Sequence, residues 1–279
     1  MFKALTTTIN KARLARIIFA SFGSALLFCV PAAAHEYWIS AEDFTVSPGE
    51  TVVARLMVGQ MMAGNELPRL SRQIRTFRYY APDGPQEAVG RQGDRPAFAY
   101  EAAKPGLHII AQETLPLEVT YDTMEEFSEY LTYEGLGRFV SVHLERGLPE
   151  AGFSEAYSRF AKALVQVGPV QATHLDRQVG LAFELTAMQN PYAGLSVLPV
   201  ELMWQGAAAA DTQIAVFRAL EGEVERTLVT TGPDGRAEIP LHEAGGRYLL
   251  NAVHLEPAKG DGPVWESSWA SLTFEVPAR

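Results

Sequence analysis

The stretch GRYLLNAVHL at residues 246–255 and the stretch SWASLTFEV at residues 268–276 decide the fold class. Both are long runs rich in β-branched, aromatic and other apolar residues, and a Gly- and Pro-containing segment, 256–264, separates them. This arrangement predicts two strands that pair in an antiparallel sheet. Alternation along the first stretch places His254 on the same face of its strand as Leu250.

Shorter β-rich segments precede these two strands, at regular spacing and with Gly, Pro and Asp turns between them. They are found at residues 51–58, 107–111, 181–185, 199–204, 212–220, 224–229 and 237–241. We therefore predict a mostly β fold with two immunoglobulin-like or β-sandwich regions, at residues 35–121 and 170–279. Residues 59–75 show no clear period, and we predict a loop there.

Residues 122–169 are predicted to form a short helical connector between the two β regions. Asp122 and Glu125 have the spacing of a capping box, and a first helix would end at Gly135. A second short helix is predicted at residues 138–145. Ser154 would cap a third helix, with an apolar face that follows a helical period: Tyr157, Phe160, Ala161 and Leu164.

The N-terminal residues 1–34 have the pattern of a secretory signal peptide. The basic residues Lys3, Lys11, Arg13 and Arg16 come before a 14-residue apolar or small run at 17–30, which is too short to span a bilayer comfortably. Ala32 and Ala34 then form an A-x-A cleavage site. We predict cleavage after Ala34, a periplasmic mature protein, and no stable membrane insertion after processing.

Composition excludes several classes of protein. Of 279 residues, 47% are hydrophobic and 20% charged, as in ordinary globular proteins. The mature chain would keep 245 residues with 19 basic and 33 acidic side chains, a net charge of −14, and this acidity argues against nucleic acid as a partner. Cys29, the single cysteine, would leave with the signal peptide, so the mature chain could form neither a disulfide nor a cysteine-based metal site.

Cleavage after Ala34 would make His35 the first residue of the mature protein. An N-terminal histidine offers its α-amine and its ring Nδ1 to one metal ion, and the amine loses its proton readily because its pKa is near neutrality. One more histidine would complete a three-nitrogen site, a histidine brace, suited to Cu(II), Ni(II), Co(II) or Zn(II). The alternative is that His35 stands at the cleavage site by chance.

The second histidine of such a site has five candidates: His108, His143, His174, His242 and His254. His254 is the first choice and His108 the second, because each lies in an apolar strand where burying a histidine is costly unless it is bonded. For either residue, a hydrogen-bonded structural histidine is the alternative interpretation.

Several segments together resemble a bacterial periplasmic family called domain of unknown function 4198. These segments are 35–39 (HEYWI), 157–164 (YSRFAKAL), 190–192 (NPY), 198–200 (LPV), 252–254 (AVH) and 265–274 (WESSWASLTF). Members are often described as periplasmic components of cobalt or nickel uptake. The resemblance implies that the mature N-terminal histidine matters, which corresponds to His35, and it favours His254 over His108.

We therefore expect a non-enzymatic protein that binds a transition-metal ion in the periplasm and delivers it to a membrane metal transporter. Nickel or cobalt is favoured, with copper or zinc as alternatives, and the expected ligands are His35, His254 and, less strongly, His108. Two other hypotheses stay open. One is a copper histidine-brace enzyme that oxidises polysaccharide, and the other is a metal-free adhesive or carbohydrate-binding sandwich.

Overall fold

A computed structural model of the chain describes residues 36–171 and 173–279. Its N-terminal half contains ten strands and two helices. The strands are β1 Glu36–Ala41, β2 Thr45–Val46, β3 Thr51–Gln60, β4 Ala63–Leu67, β5 Ile74–Ala81, β6 Gly84–Glu87, β7 Phe98–Glu101, β8 Gly106–Thr114, β9 Leu117–Tyr121 and β10 Phe153–Val167; the helices are α1 Met124–Tyr133 and α2 Arg138–Glu145. The predicted signal peptide lies outside the described residues.

The C-terminal half contributes eight strands. They are β11 Phe183–Ala187, β12 Val197–Trp204, β13 Ala207–Ala208, β14 Gln213–Leu220, β15 Glu223–Thr230, β16 Arg236–Pro240, β17 Gly246–Pro257 and β18 Trp265–Val276. The mostly β fold with a short helical segment is thus confirmed. The part of the chain that the structure describes holds no helix with the length and hydrophobicity of a membrane span.

A ten-stranded sheet forms the middle of the molecule, with the strand order β15-β14-β17-β18-β10-β8-β5-β6 and with β2 and β9 also paired to β10. A smaller sheet of β1, β3, β4 and β7 covers one face, where the Thr273 hydroxyl donates a hydrogen bond to the Ile39 carbonyl (2.6 Å). The two helices lie on that same face, with Tyr130 stacked on Trp269. A third sheet, β11, β12, β13 and β16, covers the opposite face, where Lys162 of β10 donates a hydrogen bond to Glu184 of β11 (3.0 Å).

The predicted pairing of the two longest C-terminal strands is confirmed. β17 pairs antiparallel with β18 over its whole length, from Gly246 opposite Val276 to Pro257 opposite Trp265. On its other side β18 pairs in parallel with β10. The central sheet therefore contains strands from both predicted β regions, and the boundaries proposed at residues 121 and 170 do not separate independent sheets.

The third predicted helix is wrong, because residues 153–167 form the strand β10. From Phe160 onward every side chain of this strand is buried, since neighbouring sheets cover both of its faces. A strand buried on both faces shows no alternation of polar and apolar residues, and its continuous apolar sequence also fits a helical period. The helical part of the connector is confined to α1 and α2.

Two smaller predictions also need correction. Residues 59–75 are not all loop, because β4 returns along β3 as a tight hairpin. The cap of α1 is displaced by one residue: the Thr123 hydroxyl accepts from the Glu126 amide (3.3 Å), and the Glu126 carboxylate accepts from the Asp122 amide (3.1 Å). The second helix, 138–145, is as predicted.

Candidate functional site

The predicted ligand His108 is a buried residue of β8 with both ring nitrogens bonded. Its Nδ1 lies 3.0 Å from the Tyr100 hydroxyl and its Nε2 lies 2.8 Å from the Lys104 carbonyl. The carbonyl can only accept, so Nε2 carries the proton and Nδ1 accepts from Tyr100. Burial lowers the pKa of His108, which keeps the ring neutral. This is the arrangement of a structural histidine.

The other predicted ligand, His254, lies on the face of β17 that the third sheet covers. Its ring stacks on Trp204 with centroids 4.5 Å apart, and its Nε2 is 3.8 Å from a Glu256 carboxylate oxygen. Burial lowers the pKa of His254, and the charge of Glu256 opposes that shift. The side chain remains about one-third exposed, with the Trp204 ring stacked against it.

The structure does not bring His254 and His108 together. His254 pairs with Ser268, which pairs with Ser158 on β10, whereas His108 pairs with Val165 of β10. Seven residues along a strand span roughly 23 Å, far more than one metal ion can bridge. His35 lies outside the described residues. Within residues 36–171 and 173–279, no three His, Cys, Asp or Glu side chains come together as a metal site.

A different group of polar residues is buried at the start of β1. Glu36, the first described residue, is only 1% exposed although it is charged in its ordinary state. One of its carboxylate oxygens accepts a hydrogen bond from the Tyr133 hydroxyl (3.2 Å). The other, Oε2, is buried without a hydrogen-bond partner among the described residues. Burying an unpartnered carboxylate oxygen is costly, so this position requires an explanation.

Glu134 is a second buried carboxylate in the same place. It is the C-terminal cap of α1, directly after Tyr133, and it is 3% exposed. The negative end of the helix dipole disfavours an anion at this position. Gly135 follows with φ 74°, a left-handed conformation that ends the helix and turns the chain away. Glu134 therefore stands where burial and the helix end both oppose its charge.

Asn251 and Ser271 form the floor of this group on the central sheet. They are direct partners across β17 and β18, and the Asn251 amide donates to Glu134 Oε2 (3.4 Å). Four buried oxygens here have no hydrogen-bond partner within the described part of the chain: Glu36 Oε2, Glu134 Oε1, Asn251 Oδ1 and Ser271 Oγ. Three of the four are carboxylate or amide oxygens, those of Glu36, Glu134 and Asn251. Oxygens of these two kinds are common ligands of metal cations. We call Glu36, Glu134, Asn251 and Ser271 the acidic site.

One arginine partly compensates the two carboxylates. The Arg226 guanidinium lies 4.0 Å from the centre of the Tyr133 ring and donates to the Tyr133 carbonyl (2.8 Å). Burial, and after it the charge of Glu36, raise the pKa of Glu134 to about 8, while Arg226 lowers it. Burial also raises the pKa of Glu36, against hydrogen bonds and the charge of Arg226. For each of the two carboxyl groups, burial thus raises the pKa by more than the neighbouring groups lower it.

Sequence reasoning missed the acidic site. Glu36 and Glu134 are 98 positions apart, and only the docking of β1 and α1 on the central sheet brings them together. The sequence contained only local signals, a glutamate at the start of the mostly apolar strand EYWISA and a glutamate at the end of a helix. Either alone is an ordinary feature, so neither predicts a site.

Comparison with known families gives one assignment. The family model described as "Domain of unknown function (DUF4198)" matches residues 32–256. The chain belongs to this family. The match includes Glu36, Glu134 and Asn251 of the acidic site, as well as His254, and it ends before Ser271. A comparison of this DUF4198 protein with curated proteins gives no match.

Similarity to solved structures is distant. The tetra-tandem repeat in the extending region of a large adhesion protein is 12% identical, with a TM-score of 0.20, covering 86% of this chain and 49% of that chain. Salmonella α-2-macroglobulin reacted with methylamine is 15% identical, with a TM-score of 0.21, covering 87% and 15%. Native E. coli α-2-macroglobulin is 13% identical, with a TM-score of 0.22, covering 88% and 14%. These TM-scores carry no argument on function, and this DUF4198 chain spans less than half the length of each.

Proposed function

We propose that the protein binds a divalent transition-metal ion at the acidic site and releases it again without catalysis. The observation that carries the proposal is the pair of buried carboxylates, Glu36 and Glu134, each with one oxygen that lacks a partner among the described residues. A bound cation would satisfy both oxygens and offset the cost of burying the charge that each carboxyl group carries when it is ionised. The side-chain amide oxygen of Asn251 would supply a third ligand, which is neutral.

The choice of metal depends on the residue before Glu36. Oxygen donors alone suit magnesium, calcium or manganese, whereas nitrogen donors shift the preference to nickel, cobalt, copper or zinc. We propose that processing after Ala34 leaves the amine and imidazole of His35 as those nitrogens, with nickel or cobalt as the ion. Members of the family are often described as periplasmic components of cobalt or nickel uptake. A protein that binds one of these ions and delivers it to a membrane transporter would agree with that description.

The proposed site uses neither of the other predicted histidines. His108 has both nitrogens in hydrogen bonds. His254 lies against the third sheet, on the face of β17 opposite to Asn251, so the central sheet separates it from the acidic site. Glutamates therefore take the place that sequence reasoning gave to a second histidine.

Titration calorimetry on protein that begins at His35 tests the proposal with nickel, cobalt, copper and zinc. Glu134→Gln should weaken binding at least about 10-fold, the loss typical even for residues that only support a metal ligand. Glu155→Gln is the matched control, because Glu155 is an equally buried carboxylate whose two oxygens accept hydrogen bonds from Tyr121 and Ser267. A chain with one extra N-terminal residue separates the contribution of the amine. Equal affinity in Glu134→Gln and Glu155→Gln, or no binding by the unchanged protein, would refute the proposal.

A further inference from the structure

The hairpin between β3 and β4 has an unusual turn. Gln60 pairs with Ala63, so Met61 and Met62 are the two central residues of a two-residue turn. Their φ angles are 54° and 56°, both in the left-handed region. Such turns favour Asn-Gly, because side chains larger than asparagine are strained there. Two consecutive methionines at these positions cost conformational energy.

The hairpin has glycines, but they stand elsewhere. Gly59 and Gly64 are opposite one another, and a Cβ on Gly59 would come within 2.0 Å of the Ala63 carbonyl oxygen. The close approach of the two backbones explains why Gly59 and Gly64 are glycines. It does not explain why Met61 and Met62 occupy the turn. Strained backbone conformations are often found at functional positions, where the surrounding structure maintains them. The two methionine side chains at this turn therefore require a separate explanation.

Three methionine side chains lie over one buried patch. Met57, Met61 and Met62 are half-buried and pack against a cluster formed by Trp38, Ala215, Phe217 and Leu249. The turn also lies near the acidic site, since Glu36 pairs across β1 and β3 with Gly59, two residues before Met61. The structure thus places three methionine side chains of a single hairpin on one apolar patch, near the buried side chain of Glu36.

We propose that Met57, Met61 and Met62 form a thioether site for a soft monovalent ion, Cu(I). Thioethers select Cu(I) over the divalent ions of the first transition row, and they bind it at any pH because they carry no proton. The neighbouring carboxylate of Glu36 would offset the positive charge of the ion. The ion enters and leaves as Cu(I), so no electron is transferred. Methionine also fills irregular apolar gaps, but gap filling does not need two left-handed residues.

This inference goes beyond the proposed divalent site, because the ion and the donor atoms both differ. Competition with a Cu(I) chelator under anaerobic, reducing conditions tests it, with Ag(I) as a redox-inert probe. Met57→Leu and the double variant Met61→Leu/Met62→Leu keep the apolar bulk and remove sulfur, and each should weaken Cu(I) and Ag(I) binding at least 10-fold. Met203→Leu, in β12 of the third sheet, is the control and should bind as the unchanged protein does. Equal binding by the double leucine variant would overturn the proposal.

The two sites can be tested separately. Glu134→Gln should lose nickel affinity and keep Ag(I) affinity, whereas Met61→Leu/Met62→Leu should do the opposite. Met61→Asn/Met62→Gly provides a second test, since it installs the preferred turn residues. We expect its Tm to rise by a few degrees while Ag(I) binding falls. A lower Tm with unchanged Ag(I) binding would show that the methionines are there for packing and would refute the site.

Discussion

At the scale of single residues, the described chain contains a fully buried cation that has a structural role. Lys162, 0% exposed, lies on β10 and bonds to Asp176 (2.9 Å) and Glu184 (3.0 Å). The two carboxylates also accept backbone amides, Asp176 from Ala187 and Glu184 from the 179–181 loop. The group fastens the third sheet and its preceding loop to the central sheet.

Lys162→Met should be strongly destabilising, because it leaves two buried carboxylates facing each other without a cation. Removing one partner of a buried ion pair costs about 3–5 kcal/mol. Urea unfolding would measure this loss. The triple variant Lys162→Met/Asp176→Asn/Glu184→Gln, which carries no buried charge, should recover part of it. A loss below about 1 kcal/mol in the single variant would contradict the structural role given to Lys162.

We expect Glu155 to make the stability dependent on pH. It accepts hydrogen bonds from Tyr121 (3.1 Å) and from Ser267, and burial raises its pKa to about 7. The unfolded chain has an ordinary glutamate pKa of about 4.3. Between that pH and about pH 7, the native state therefore keeps a proton that the unfolded chain has lost. The stabilisation is complete below the unfolded value and disappears as the pH rises through about 7, a change of up to about 4 kcal/mol.

Glu155→Gln should remove this dependence, because glutamine stays neutral throughout. Urea unfolding at pH 5 and pH 8.5 should show the variant gaining stability relative to the unchanged protein as the pH rises. Glu118→Gln, an exposed glutamate on β9, is the control and should leave the two curves parallel. A wild-type stability that increases between these pH values relative to Glu155→Gln would contradict the raised pKa.

At the scale of elements, the helix cap gives a local test. Thr123 accepts the Glu126 amide at the start of α1, and Thr123→Ala should cost about 1 kcal/mol, or roughly 2–4 °C in Tm. The control Thr132→Ala removes an exposed hydroxyl that bonds to the Ser128 carbonyl inside the same helix, and it should change stability by less than about 0.5 kcal/mol. Equal losses in the two variants would show that the cap has no special role.

The same scale explains which elements could be predicted from sequence. Half-exposed strands such as β3 alternate, and turn residues mark their ends, so their positions follow from local chemistry. β10 has neither signal, because the environment that buries both of its faces is built by strands distant in sequence. The two real helices were predictable since each has one apolar face and punctuation at both ends.

At the scale of the whole molecule, the parallel pairing of β10 with β18 joins the two halves of the chain into one central sheet. No local sequence pattern predicts that two strands more than a hundred residues apart will pair. The candidate site depends on the same long-range arrangement, because Glu36, Glu134 and Asn251 come from β1, the end of α1 and β17. The sequence-based prediction placed a metal site at His35, the predicted first residue after processing, and it chose histidines because their metal chemistry is recognisable one residue at a time.

The central claim is that a divalent transition metal binds between Glu36 and Glu134. Anomalous diffraction at the nickel edge, from crystals of protein that begins at His35 soaked in nickel, tests it most directly. We expect one strong peak about 2.0–2.2 Å from an oxygen of each carboxylate, distances usual for such ligands. A peak at His254 or His108 with none between the two glutamates, or no ordered nickel at all, would contradict the account.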